Sequence, residues 1–355
     1  MKKFLAVILA ALMLFTLAAC GGNNATDGNA TDGNATDGNA AALKLGLGIS
    51  ASYGEAKNAD GDTNGSAKTE INAVAVLLDA EGKIADIAID VLDAEAAWTS
   101  EGKAVASTEA KTKYEIGADY NMAAYGKKHD GSDGKVLEWF EQADAFEATA
   151  KGKTLDEVKA FMTEDTYTTG DLAAAGCTIS IGGIVKALEK AVANAADSKA
   201  TAADKLNLAF ATTVENADAT EEKNGSVAID ATIVAAAVNT EGKVAAAKTD
   251  ALTAEITFDT KGVATYDAAA EIKTKLELGD SYNMAAYGKK HDGSDGKVLE
   301  WYAQAAAFDA ALEGKTAADF SALADAEGYG TGDLAAAGCT IGISDMIKAA
   351  QAAAA

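Results

Sequence analysis

The chain has 355 residues, enough for two ordinary domains, and no proline, so its turns fall to Gly, Asn and Asp. Hydrophobic residues make up 49% but aromatics only 6%, so the core is rich in alanine and each bulky side chain stands out. Lys plus Arg number 30 against 54 for Asp plus Glu, and the net charge of -24 repels nucleic acid and anionic lipid head groups.

Met1-Lys2-Lys3 is a basic n-region, residues 4–19 are apolar, and Leu17-Ala18-Ala19-Cys20 sets small residues before a cysteine. This is the layout of a bacterial lipoprotein signal peptide over residues 1–19, cleaved before Cys20, whose thiol then takes a diacylglycerol. An ordinary secretion signal or a membrane helix is the alternative, although the run is short for a span. Residues 20–42 repeat Asn-Ala-Thr-Asp-Gly from Asn24, Asn29 and Asn34 and hold no apolar side chain larger than alanine. Such a segment cannot bury enough surface to fold, so it reads as a flexible tether to the outer face of the cell membrane.

An internal repeat begins near Leu43. Lys44 matches Lys205, Asn64-Gly65-Ser66 matches Asn224-Gly225-Ser226, and residues 120–139 are identical to residues 282–301. Two residues are gained in the second copy between Gly262 and Lys273. The expectation is two tandem homologous domains, 43–197 and 201–355, joined around Ser198. Each opens with strands: in the first, 43–53, 71–78 and 84–91, with a turn at 79–83 and a further strand pair around 98–107. Helices follow. Residues 134–150 place Val136, Leu137, Phe140, Ala143 and Phe146 on one face, Thr154 and Glu157 form a capping box opening a helix to Met162, and 181–195 has helical spacing. The fold class is α+β, an antiparallel sheet followed by helices in each repeat.

Residues 169–179 recur unchanged as 331–341. Gly176-Cys177-Thr178 and Gly338-Cys339-Thr340 set a glycine, a thiol and a hydroxyl ahead of a helical pattern. The glycine lets a ligand approach the backbone, and free amides at a helix start attract phosphate. The threonine hydroxyl can cap that helix or carry a phosphoester. Tyr120, Met122 and Trp139, with Tyr282, Met284 and Trp301, can stack on a planar ring or pack a core. One Cys and one His per repeat, Cys177 with His129 and Cys339 with His291, leave open a thiol enzyme. A duplicated extracellular ligand-binding module is the third possibility. No CxxC or histidine cluster points to a metal.

Gly176-Cys177-Thr178-Ile179-Ser180 resembles the Gly-Ala-Thr-x-Ser motif of the FMN-binding domain family, with Cys in place of Ala. Asp171 and Asp333 resemble that motif's upstream aspartate, one residue farther away, and Ala175 and Ala337 stand where the family has Ser. Glu81-Gly82-Lys83-Ile84 is similar to its early hairpin. Closer still are the duplicated, lipid-anchored flavoproteins of Gram-positive extracellular electron transfer. Their Tyr-x-Met, Glu-Trp-x-x-Gln and Gly-Lys-Thr segments are matched by Tyr120-Asn121-Met122, Glu138-Trp139-Phe140-Glu141-Gln142 and Gly152-Lys153-Thr154, and by the copies from Tyr282, Glu300 and Gly314. The resemblance implies two covalent FMN groups, esterified to Thr178 and Thr340 by an FMN transferase. Gly176, Gly338, Cys177, Cys339, Asp171, Asp333, the two Tyr-Met-Trp sets and the two histidines would surround them. Lys127-Lys128-His129 would then meet the phosphate or the flavin's electron-rich edge, or stand as a solvated loop. The implied protein is a redox carrier rather than an enzyme that transforms a substrate. A membrane quinone or flavin would supply its electrons and extracellular acceptors would take them.

Overall fold

The alternation of Val, Ile and Leu in the first half of each repeat produces long antiparallel strands. The computed structural model describes residues 41–106, 110–129, 136–286 and 298–355, for 126–129 the backbone only. In repeat 1, β1 (Lys44–Tyr53), β2 (Gly65–Leu78) and β3 (Ile84–Trp98) form a meander, and the short β4 (Ala104–Val105) returns along Trp98. Asp79 closes the β2–β3 turn by accepting hydrogen bonds from the amides of Glu81 (3.0 Å) and Lys83 (2.8 Å). Gly82 supplies the positive φ of 78° that this turn needs. A two-residue strand, β5 (Ala196–Asp197), pairs with the start of β1 and completes a sheet of order β4-β3-β2-β1-β5. Repeat 2 gives β6 (Lys205–Ala217), β7 (Gly225–Val238) and β8 (Val244–Phe258) in a second sheet.

The helices of repeat 1 are α1 (Lys113–Ile116), α2 (Met122–His129), α3 (Trp139–Ala150), α4 (Leu155–Lys159), α5 (Gly170–Ala174) and α6 (Gly182–Ala193). Repeat 2 contributes α7 (Lys275–Leu278), α8 (Trp301–Leu312), α9 (Gly332–Ala336) and α10 (Ser344–Ala353), with a 3-10 helix, Ala317–Leu323, where repeat 1 has α4. Helix α3 starts later than the periodicity predicts because Glu138 is its N-cap, with its own amide bound to Glu141 at 2.9 Å. The capping box at Thr154 is formed, its amide reaching Glu157 at 2.8 Å. Helix α4 stops at Lys159, short of Met162, because the chain there turns back: Met162 bridges Thr168, and Thr169 donates to the Phe161 carbonyl at 2.7 Å. The α+β class therefore holds.

Strand β2 is buried on both faces, and this sets the architecture. One face, Ile71, Ala73, Ala75 and Leu77, joins Leu45, Leu47 and Ile49 of β1 against Phe210, Ile229, Ile233 and Leu252 of the second sheet. The other face, Val74, Val76 and Leu78, packs with Ile87, Ile89 and Val91 against Trp139, Phe146, Ile184 and Leu188 of the helices. Val234, Ala236 and Val244 meet Trp301, Phe308, Phe320 and Met346 in the same way in repeat 2. The layers run helix, sheet, sheet, helix.

The expectation of two separate domains is not confirmed: residues 40–355 form one compact unit. Trp98 stacks on its repeat equivalent Phe258, with centroids 5.2 Å apart and planes 5° from parallel. The repeats also exchange backbone hydrogen bonds, Ala219 donating to Gly102 at 2.7 Å and Ala59 to Gly262 at 2.9 Å. The segment around Ser198 is fixed rather than free, since Ser198 donates to Leu43 at 3.1 Å and Leu43 to Ala200 at 2.8 Å.

Candidate functional site

Thr178 is exposed, and its neighbour Cys177 is fully buried in the helix-side core. The turn that leads into them is set by Gly176, at φ 101°, where an added Cβ would lie 2.8 Å from Leu137 Cδ1. Gly338 repeats this with the same φ of 101° and Leu299 Cδ1 at 2.5 Å. Only glycine meets both the positive φ and the close approach.

A buried glutamine holds the threonine. Gln142 Oε1 accepts from the Thr178 amide at 2.7 Å and from its hydroxyl at 3.2 Å. Gln142 Nε2 donates to the Leu137 carbonyl at 2.9 Å and reaches Met122 Sδ at 3.5 Å. In repeat 2, Gln304 Oε1 accepts from the Thr340 amide at 2.9 Å, while its Nε2 donates to Leu299 at 2.8 Å and reaches Met284 Sδ at 3.3 Å. Both glutamines are fully buried. Such an amide is stable in a core only when its donor and acceptor are both satisfied, and here that requirement ties three distant segments together. Glu138 adds a fourth link by accepting from the Met122 amide at 2.9 Å, as Glu300 does from Met284 at 2.9 Å.

The aromatic set lies at the start of α3. Trp139 is buried, with Tyr114 edge-on to its ring at 5.4 Å. Lys113 Nζ stands over Tyr120 at 5.3 Å and over Trp139 at 5.5 Å, and pairs with Asp93 at 3.1 Å. Tyr120 donates its hydroxyl to Asp93 at 3.1 Å; burial and that carboxylate push the phenol upward. Lys275 stands over Tyr282 at 5.4 Å and Trp301 at 5.6 Å. Trp139 and Trp301 are core residues with no open face for a planar ring, whereas Tyr120, Met122, Tyr282 and Met284 are half-buried at the core's margin.

Thr178 does not stand at a helix start. Tyr167 bridges Ser180 and the Ile181 amide donates to Thr166 at 2.9 Å, so the chain stays extended and α6 begins at Gly182, with Ile181 as N-cap. The threonine is therefore no cap, and its amide is already taken by Gln142. Asp171 and Asp333 are exposed in the first turns of α5 and α9, outside the glutamine link. Burial pushes the thiols of Cys177 and Cys339 up to about 11, the opposite of what a nucleophile needs. Cys20 and His291, with residues 1–40 and 130–135, lie outside the described residues, as does the His129 side chain.

Two features at this site have no role assigned from the sequence, although Gln142 and Gln304 close the Glu-Trp-x-x-Gln segments. Gln142 and Gln304 are each a polar residue on the apolar face of a helix at matching positions, a signal that was available. Tyr167 and Tyr329 are 56% and 52% exposed, and each bridges the strand that follows the threonine, Ser180 and Gly342 respectively. An exposed hydroxyl on a fixed turn, flanked by an exposed aromatic, is a donor set that fits a phosphoester-linked planar cofactor. Comparison with protein-family models, with curated proteins and with solved structures finds no match for this chain.

Proposed function

We propose that this chain is a lipid-anchored extracellular flavoprotein carrying FMN in phosphoester linkage to Thr178 and Thr340. One observation carries the reading: the same exposed threonine is held by the same buried glutamine in both repeats, with amide-to-oxygen distances of 2.7 and 2.9 Å. FMN, when bound, supplies reversible electron storage. The chain's own part is to hold the acceptor hydroxyl still and exposed for an FMN transferase, and to keep the cofactor from diffusing away outside the cell. Cys20 would take the lipid and the 20–42 tether would set the reach. Electrons would come from a membrane quinone or flavin and pass to extracellular acceptors.

The test is the intact mass and visible spectrum of the chain co-expressed with an FMN transferase. The expected result is flavin absorbance and a mass gain of two FMN units, each less water. One unit should be lost in Thr178→Ala and one in Thr340→Ala. A colourless protein of unmodified mass would contradict the proposal and favour a duplicated binding module.

A further inference from the structure

We propose that the two attachment sites differ in reduction potential, the Thr340 site being the more readily reduced, because repeat 2 lacks the carboxylate that repeat 1 pairs with the lysine over its Tyr-Trp set. The inference rests on the flavin reading above. In repeat 1 the cation over Tyr120 and Trp139 is neutralised: Lys113 pairs with Asp93 at 3.1 Å, and Lys113 itself is buried. Lys275 holds the same place over Tyr282 and Trp301. The position of Asp93 is Thr253 there, and among the described residues no carboxylate forms an ion pair with Lys275. The neighbouring acid is not lost, since Asp230 accepts from Thr253 where repeat 1 has Glu70. The net change at this point is one negative charge.

The helix that carries the glutamine also differs in charge, although Asp144 and Glu147 face the cleft between the repeats. Helix α3 reads WFEQADAFEATA and carries Glu141, Asp144 and Glu147, whereas α8 reads WYAQAAAFDAAL and carries Asp309 alone. Trp139 lies three residues, a rise of about 4.5 Å along the helix, before Gln142, which holds Thr178. Against this, repeat 2 adds Asp345 in the first turn of α10 where repeat 1 has Gly183. Summed over these positions the charges cancel, because the C-cap of this helix is Lys151 in repeat 1 and Glu313 in repeat 2, so the difference between the sites rests on the cation: Lys113 is paired with Asp93, and Lys275 has no ion-pair partner among the described residues. Adding an electron to a group is opposed by nearby carboxylates and favoured by an unpaired cation, and a half-buried pair such as Lys113–Asp93 is screened by salt less than a surface one.

The experiment is a spectroelectrochemical titration of the full chain, co-expressed with an FMN transferase, as Thr178→Ala and as Thr340→Ala, so that each protein carries one flavin. The flavin on Thr340 should titrate at the higher potential. Asp93→Asn in the Thr340→Ala background should raise the potential of the remaining flavin, and Thr253→Asp in the Thr178→Ala background should lower it. Equal potentials, the reverse order, or no response to either substitution would overturn the inference alone. Absence of flavin from both proteins would overturn the attachment reading and the inference with it.

Discussion

Two clefts are lined by residues of both repeats and correspond to each other through the duplication. The first, of about 440 Å³, is walled by Asp90, Tyr114, Asp144 and Glu147 with Lys205 across from them. Its counterpart, of about 180 Å³, has Asp250 and Leu276 in the places of Asp90 and Tyr114, and adds Lys190, Lys248 and Glu277. One cleft holds an excess of acid: burial pushes Asp90 up to about 6 and Glu147 up to about 7. In the other, Lys190 pairs with Glu277 at 2.6 Å and Lys248 donates to the Asn194 carbonyl. The glutamine–threonine sites are also doubled, yet they keep the same residues and the same amide-to-glutamine bond, the Thr178 hydroxyl adding a further bond in repeat 1. A cleft wall asks only that its charges be tolerable, and many side chains meet that demand. A buried amide with three partners asks for one side chain in one place, so that part of the duplication does not drift.

Cutting the repeats apart attacks this comparison most severely. A 43–197 fragment would expose Leu45, Leu47, Ile49, Ile71, Leu77 and Leu92, all buried against the other sheet. At ~1.5–3 kcal/mol each, that loss rivals the whole stability of an ordinary domain, about 5–15 kcal/mol. The fragment should be unfolded or self-associated by circular dichroism and size-exclusion chromatography. A monomeric, cooperatively melting fragment would restore the two-domain expectation.

Gln142→Ala is the next in size. It strands the Thr178 amide and the Leu137 carbonyl and should cost about 1–3 kcal/mol, read as a lower denaturation midpoint. Flavin should fall at Thr178 only, with Thr340 loaded as before. Gly176→Ala forces a Cβ onto Leu137 at a positive φ, at a cost on the order of 1–3 kcal/mol, and Gly338→Ala should match it closely because the two turns are alike.

The clefts give a pH prediction with a definite sign. A carboxyl whose folded pKa is raised holds its proton in the fold after the unfolded chain has lost it, so stability is highest at low pH and falls as pH rises through the folded value. Melting temperature should therefore decline from pH 5 to pH 8, through the range set by Glu147 at about 7 and Asp90, Asp250 and Asp309 at about 6. Glu147→Gln should flatten the upper part of that decline, and a slope unchanged by it would remove Glu147 from the explanation. Cys177→Ala is expected to do least: flavin loading should be unchanged, since the thiol is buried away from the exposed hydroxyl.

The early strands, the hairpin at Asp79 and the capping box at Thr154 were legible because each rests on local rules of alternation, turn chemistry and capping. The joining of the repeats was not, although residues 71–78 are apolar at nearly every position, which is how a strand buried on both faces reads. At the site, Thr178 and Gly176 were legible from their exact recurrence. The start of α6 was legible to within one residue, whereas the Tyr167–Ser180 bridge that keeps Thr178 in extended chain ahead of it is a contact between segments, invisible to helical periodicity. Trp139 offered itself as a stacking surface, but the partners that enclose it, Lys113 and Tyr114, come from a helix some 25 residues earlier.

The most direct measurement is peptide mapping by mass spectrometry of the chain co-expressed with an FMN transferase. The expected result is an FMN adduct on two peptides, one fragmenting to Thr178 and the other to Thr340, with none on Ser180. Adducts confined to other residues, or none at all, would contradict the central claim.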